Sequence, residues 1–350
     1  MNEFQNRHPL IGVCISNEKP CLAGAVKKRL ENFSGDVSII KFYANDLNFN
    51  NFQVKGHYFQ KKGGEIYEEK GVYRFPAVVY MQCHIDREIC RKIEHVIGRK
   101  VFNNFIFDKW QGWELLSSDI VLRNHLPATQ KLLNGADLQK FLYHHQDIFV
   151  KPVSAVKGHS SKGIIRVQLQ KSKAIGIFYR EGKMMRHERL ENWQEVQDRI
   201  NIPSNYILQQ SIQTVKRGEK VTDIRVNMSK NRKGKWEVSN LLFRMASNSS
   251  HIIPEDVKVF SPNHLEKTFH DFELDLMTCR NVGYRICHIF EKLGYHMGDL
   301  GIDLGIDENG HVWIFEVNPL PYPFTLSPSH QDHSWTRPLE YASYLAYKKR

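Results

Sequence analysis

The sequence lacks most of the features by which a chain announces its chemistry. No apolar run approaches the roughly 20 residues needed to cross a bilayer. Met1 to His8 is polar and leads straight into an apolar stretch, without the charged-then-apolar pattern of a secretory signal. The expectation is a cytoplasmic protein with no membrane partner. The six cysteines, Cys14, Cys21, Cys83, Cys90, Cys279 and Cys287, form no C-x-x-C pair. That argues against a zinc site and a disulfide framework, and they read as buried thiols. No G-x-G-x-x-G follows a strand, no G-x-S-x-G occurs, and none of the cysteines has an evident histidine partner. Dinucleotide binding and covalent nucleophilic catalysis therefore have no support. Histidine is abundant at 17, yet His144-His145 and His330-x-x-His333 lack the setting of a ligand set and read as surface residues.

What remains is an ordinary globular composition, 41% hydrophobic and 25% charged, in a chain of 350 residues that suits two or three packed units. Lys and Arg number 49 against 38 Asp and Glu, a net charge of +11 that favours anionic partners. The surplus is spread out. Its densest run, Lys230 to Lys235, lies between two alternating segments and reads as a solvated hairpin tip. Without a basic stripe interleaved with aromatics, nucleic acid ranks last among the partners.

Leu10 to Ser16 and Ala77 to Cys83 read as buried strands, and Gly24 to Phe33 as a helix with Lys27, Lys28 and Arg29 on its outer side. Asp86 to Ile97 is an amphipathic helix stopped by Gly98. The middle is richer in strands: Asp147 to Pro152, Gly163 to Gln168, Tyr206 to Gln210, Asp223 to Ser229 and Lys235 to Phe243, with a helix at Glu191 to Ile200. A helix from Asn281 to Leu293, strands at Leu300 to Ile306 and His311 to Glu316, and a helix at Pro338 to Tyr347 complete the chain. The fold class is α+β after an α/β start, with units expected at 1–120, 121–208 and 209–350.

Three segments carry chemistry. Asp307 to Gly310 is a turn sequence, so Gly301–Ile306 and His311–Asn318 pair as a hairpin. Glu316 and Asn318 are two apart and share a face, and Asp303 lies on the partner strand roughly opposite. Two carboxylates and an amide oxygen in apolar surroundings are costly to bury without a cation, and hard oxygen ligands suit Mg²⁺. The second segment runs from Lys151 at the end of an apolar strand through Gly158 to Gly163. Its glycines have P-loop spacing, but Ile164 and Ile165 replace Lys and Ser/Thr and a strand follows, so it is not a Walker motif. A loop of this kind offers backbone N–H groups and the Ser160 and Ser161 hydroxyls to phosphates. In the third, Asp223, Arg225 and Asn227 share one strand face and Arg244 ends the next strand; an inward arginine needs an anionic partner, and a plain salt bridge is the simplest one.

In this order the segments resemble the ATP-grasp superfamily over about residues 105 to 350. Phe107-Asp108-Lys109-Trp110, Leu126-Pro127-Ala128-Thr129, Asp223-Ile224-Arg225-Val226 and Arg337 to Ala342 are most similar to its YheC/YheD-type branch, described as endospore coat-associated. The resemblance implies an ATP-grasp fold preceded by an α/β pre-ATP-grasp domain. It implies Lys109 and Lys151 on phosphates, Ser160 to Gly163 as lid, and Gln209, Gln210 and Ile212 along adenine. Asp223 belongs to the same nucleotide-binding set. Asp303, Glu316 and Asn318 would hold two Mg²⁺, and Arg225 and Arg244 would face the transferred phosphate or acidic substrate. The implied activity is ligation of a small-molecule or peptide carboxylate to an amine through an acylphosphate. The alternatives are a kinase on the same site and a non-catalytic, spore-associated nucleotide-binding protein. Two departures stand out: Gln209-Gln210-Ser211 carries no acid for the ribose, and no Gly-Gly follows Asn248 to His251.

Overall fold

The computed structural model describes residues 8–154, 163–182, 184–200, 205–216, 218–247, 257–260, 276–323 and 333–348. Ser160, Ser161, Asn248 to His251 and His330 lie outside them. The chain opens with β1 (Leu10–Ile15), α1 (Pro20–Asn32), β2 (Ser38–Tyr43), β3 (Leu47–Asn48), β4 (Gln53–Lys62), β5 (Glu65–Arg74), β6 (Val78–Met81), α2 (Arg87–Ile97) and β7 (Val101–Phe102). The first sheet runs β3-β4-β2-β1-β6-β7, with β5 added on β4. β1 pairs in parallel with both β2 and β6 and is buried at every position, which is why it reads as an unbroken apolar run. α2 begins where the Asp86 side chain accepts from Glu88 N–H and ends at Gly98, whose φ of 80° is left-handed.

Next come α3 (Lys109–Ser117), α4 (Ile120–Arg123), β8 (Thr129–Leu132), α5 (Gly135–His145), β9 (Asp147–Pro152), β10 (Ile165–Leu169), β11 (Ile175–Glu181), β12 (Met184–Leu190), α6 (Trp193–Arg199) and β13 (Tyr206–Gln210). The second sheet is antiparallel in the order β12-β11-β10-β9-β13-β8. Leu138, Phe141 and Leu142 of α5 and Val196 of α6 pack on Ile148, Val150, Val167 and Ile177, leaving the other face to the cleft. The boundaries expected after 120 and 208 fall at the start of α4 and inside β13. α3 and α4 send Leu116 and Leu122 into the core of the third sheet.

That third sheet is built from β14 (Thr222–Lys230), β15 (Trp236–Ala246), β16 (Val257–Phe260), α7 (Leu276–Lys292), β17 (Asp299–Ile306) and β18 (Val312–Asn318), with α8 (Arg337–Tyr347) closing the described chain. Its order is β16-β15-β14-β17-β18. One face packs under α7, where Val282, Ile286, Ile289 and Phe290 meet Ile224, Val226, Met228, Ile302 and Leu304. α8 instead sends Leu339, Tyr341, Ala342 and Leu345 into the core of the first sheet, so both ends of the chain share one core.

Three expectations need correction. Arg29 is not on the outer side of α1: it is 2% exposed, and its Nη1 donates to the carbonyls of Ser334 at 2.8 Å and Trp335 at 3.1 Å. The turn after β14 is only partly solvated. Lys230 is buried against Glu291 at 2.7 Å, and Asn231 Oδ1 accepts from the N–H groups of Lys233 and Lys235, leaving Arg232, Lys233 and Lys235 exposed. Cys21 is exposed, because it sits in the first turn of α1 facing the cleft; the other five cysteines are buried.

Candidate functional site

The face of the third sheet away from α7 is polar because the registers stack charged residues across four strands. Asp223 pairs with Arg244, Arg225 with Asp303, and Asp303 with Glu316; one step along, Asn227 pairs with Gly301 and Gly301 with Asn318. A β-bulge lies just after Asp303. Two carboxylates placed opposite each other repel, so Asp303 beside Glu316 needs compensation. Lys109 Nζ lies 3.3 Å from Glu316. Arg225 Nε forms an ion pair with Asp303 at 3.0 Å, and Arg244 Nη2 donates to Asp303 at 2.7 Å while its Nε donates to Asp223 at 2.7 Å. Asn318 Nδ2 completes the cluster, 3.2 Å from the second Asp303 oxygen. Gly301 makes this possible: a Cβ there would stand 2.3 Å from Arg225 Nη1, so only glycine lets the guanidinium lie across β17.

Burial works against the charges of Asp223, Arg225 and Arg244. It pushes the Asp223 carboxyl upward against the pull of Arg244, and it lowers Arg225 against the pull of Asp303. Arg244 is opposed by burial too, yet Asp223 and Asp303 together hold it above the usual arginine range. A simple salt bridge explains Asp223–Arg244 and does not explain why Arg244 and Arg225 both converge on Asp303.

Across the cleft, β9 presents Lys151. Burial lowers its ammonium to about 8, with Glu316 acting in the opposite sense. Its Nζ donates to Gln209 Oε1, and Gln209 Nε2 donates to Thr129 Oγ1 at 3.2 Å. Gln209 is therefore engaged through its side chain as well as its backbone. Gln210 N–H is committed to Ala128 O and Ser211 N–H to Asp147 O, so Ile212 is the first of the segment past the ladder. These residues, with Lys109, Lys151, Phe315 and the acidic cluster, line one cleft of about 1600 Å³ between the second and third sheets. Gly163, at φ 81°, turns the chain back into β10.

Asp303, Glu316 and Asn318 are hard oxygen donors on adjacent strands, a set that fits Mg²⁺, which keeps waters and takes phosphate oxygens. No group of three His, Cys, Asp or Glu side chains able to hold a metal exists among the described residues. A cation here would depend on Asn318, water and phosphate. A nucleotide fits Lys151 in turn, since a polyanion supplies the countercharge that its burial lacks.

Several residues were missed in the sequence. Arg166 is held by Asp147, with Nε donating at 2.8 Å, and Gln213 Nε2 reaches the same carboxylate at 3.1 Å, tying β9 and β10 to the segment after β13. Asn103, left-handed at φ 52° and fully buried, spends its whole amide on the base of the hairpin. Its Nδ2 donates to Asp299 O and Pro319 O, and its Oδ1 accepts from Gly298 and Asp299 N–H, all within 3.0 Å. Asp299 accepts from Tyr80 Oη at 2.7 Å and Ser229 Oγ at 2.8 Å, with Arg29 at 3.9 Å. In the sequence Asn103 shows only as an asparagine directly after the apolar Val101-Phe102.

A family model described as YheC/D like ATP-grasp matches residues 98–345. The chain is 25% identical to the endospore coat-associated protein YheD of Bacillus subtilis (strain 168), covering 97% of this chain and 79% of YheD. It is 23% identical to YheC of the same organism, covering 68% of this chain and 67% of YheC. Among solved structures, D-alanyl-alanine synthetase A from Vibrio cholerae superposes with a TM-score of 0.55 at 12% identity, covering 97% of this chain and 96% of that one. A likeness at that identity shows a shared fold.

Proposed function

Because the chain belongs to the YheC/YheD-like ATP-grasp family, we propose that it is an ATP-dependent ligase joining a carboxylate to an amine. The observation that carries this reading is the convergence of Asp303, Glu316 and Asn318 with Lys109, Arg225 and Arg244, facing Lys151 across one cleft. Units 121–208 and 209–350 act as the two jaws, the first carrying Lys151 and the lid and the second the acidic hairpin. Gln209, Gln210 and Ile212 lie along the base, and Lys109 and Lys151 neutralise phosphate oxygens. Asp303, Glu316 and Asn318 would hold Mg²⁺, which would supply charge neutralisation to the nucleotide's phosphates.

The substrate carboxylate attacks the γ-phosphorus, ADP leaves, and the acylphosphate formed is attacked by an amine that expels phosphate. Catalysis by positioning and electrostatics needs no protein nucleophile. Arg225 and Arg244 meet the charge that develops on the transferred phosphoryl group; in the present geometry both are parked on Asp303. That same contact favours a second reading, a nucleotide-binding protein without turnover, in which the arginines never leave Asp303. The test is release of ADP and phosphate from Mg-ATP with amino acids and peptides, with product masses read alongside. Amide products support the ligase, a phosphorylated acceptor supports a kinase, and nucleotide binding without turnover supports the second reading.

A further inference from the structure

One wall of the cleft has no task in the reading above. The turn from β1 into α1, Ser16 to Leu22, closes the side contributed by the first sheet. Lys19 stands there, half-buried, and its side chain makes no hydrogen bond or ion pair within the described residues. No acidic residue occupies the first turn of α1 to neutralise it, and the nearest acid in sequence, Glu18, is exposed. Burial lowers the Lys19 ammonium, Glu316 and Cys21 raise it, and Lys109 lowers it. Lys19 lies on the turn from β1 into α1, beside the first sheet, whereas Lys151 lies on β9 of the second sheet, and both line the cleft.

Charge balance says what this wall is for. The cleft is lined by seven Lys or Arg and five Asp or Glu side chains. ATP with two divalent cations is close to neutral, so it leaves the surplus in place. The volume, about 1600 Å³, exceeds what one drug-sized ligand fills, roughly 300–1,000 Å³. Resting on the ligase reading, we propose that Lys19 binds a carboxylate of the second substrate that the reaction does not consume. The substrate seated against this wall is then an acidic amino acid or a peptide rich in carboxylates. Five acids along the same cleft count against a nucleic acid strand.

The test is calorimetry on the full chain with Mg²⁺ and a non-hydrolysable ATP analogue, for wild type, Lys19→Met and Lys19→Arg. L-glutamyl-L-glutamate and L-alanyl-L-alanine are then titrated into each nucleotide complex. The expected result is analogue affinity within about threefold in all three proteins. Diglutamate should bind wild type at least about tenfold more tightly than dialanine, a preference lost in Lys19→Met and recovered in Lys19→Arg. If the analogue itself binds Lys19→Met tenfold more weakly, Lys19 belongs to the nucleotide and the inference is wrong. If diglutamate shows no preference in wild type, or keeps it in Lys19→Met, the inference is wrong while the nucleotide site stands. If the analogue does not bind wild type, the ligase reading falls and takes this inference with it.

Discussion

Two aspartates on one strand, four residues apart and on the same face, have opposite surroundings. Asp299, 3% exposed, is closed: Tyr80, Ser229 and Arg29 surround its carboxylate, and Asn103 holds its backbone. Asp303, 14% exposed, faces the cleft, and its partners Arg225, Arg244 and Asn318 are all groups that a phosphate or a cation can displace. The first joins the first sheet to the base of the hairpin; the second stands at the working end. A buried charge whose partners are built in is architecture, whereas one whose partners are exchangeable is a site.

The largest effect should come from opening the closed end. Asp299→Asn leaves Arg29 buried without its countercharge and should cost about 3–5 kcal/mol of stability in urea unfolding, while the folded fraction keeps its nucleotide affinity. If stability is unchanged, the first sheet is not anchored through Asp299. Asp303→Asn should act chiefly on the site: Mg-dependent ATP affinity falls by about a hundredfold, roughly 2.7 kcal/mol, with a stability loss smaller than that of Asp299→Asn because Arg244 keeps Asp223. Equal losses of stability in both variants would erase the distinction between the two ends.

Tyr80→Phe removes one donor to the Asp299 carboxylate and should cost about 1.5–3 kcal/mol, measured in the same denaturant series. The smallest effect is a pH dependence from Lys151. Below about pH 8 it is charged in folded and unfolded chain alike; from there up to the ordinary lysine value of 10.5 only the unfolded chain keeps the proton, so stability from this group rises with pH. Bound nucleotide restores the charge, so binding takes up a proton, and affinity falls above pH 8 by at most about tenfold per unit. Calorimetry in buffers of different ionisation enthalpy reads that proton. Lys151→Met should bind more weakly and lose the slope; a slope that survives belongs to another group.

The open end was far more legible in the sequence than the closed one. Asp307 to Gly310 gives a turn, alternation pairs the strands, and Asp303, Glu316 and Asn318 interrupt apolar neighbours, so local pattern alone carries the hairpin. Arg29 follows Lys27 and Lys28 and looks like surface; its partner Ser334 is 305 positions away, beyond any periodicity. Asn103 acts only where the first sheet meets the third, and Lys19 only where the first sheet borders the cleft, and no local spacing encodes either meeting. The outer strands β5 and β12 escaped because exposed strands carry charge on both faces and lose the alternation that marks a half-buried strand.

The most direct test of the central claim is calorimetric titration of ATP with and without Mg²⁺, for wild type and Glu316→Ala. Micromolar binding that needs Mg²⁺ and disappears in the variant is the predicted result. Well-folded wild type that binds no nucleotide, or a Glu316→Ala protein that binds as wild type does, would contradict it.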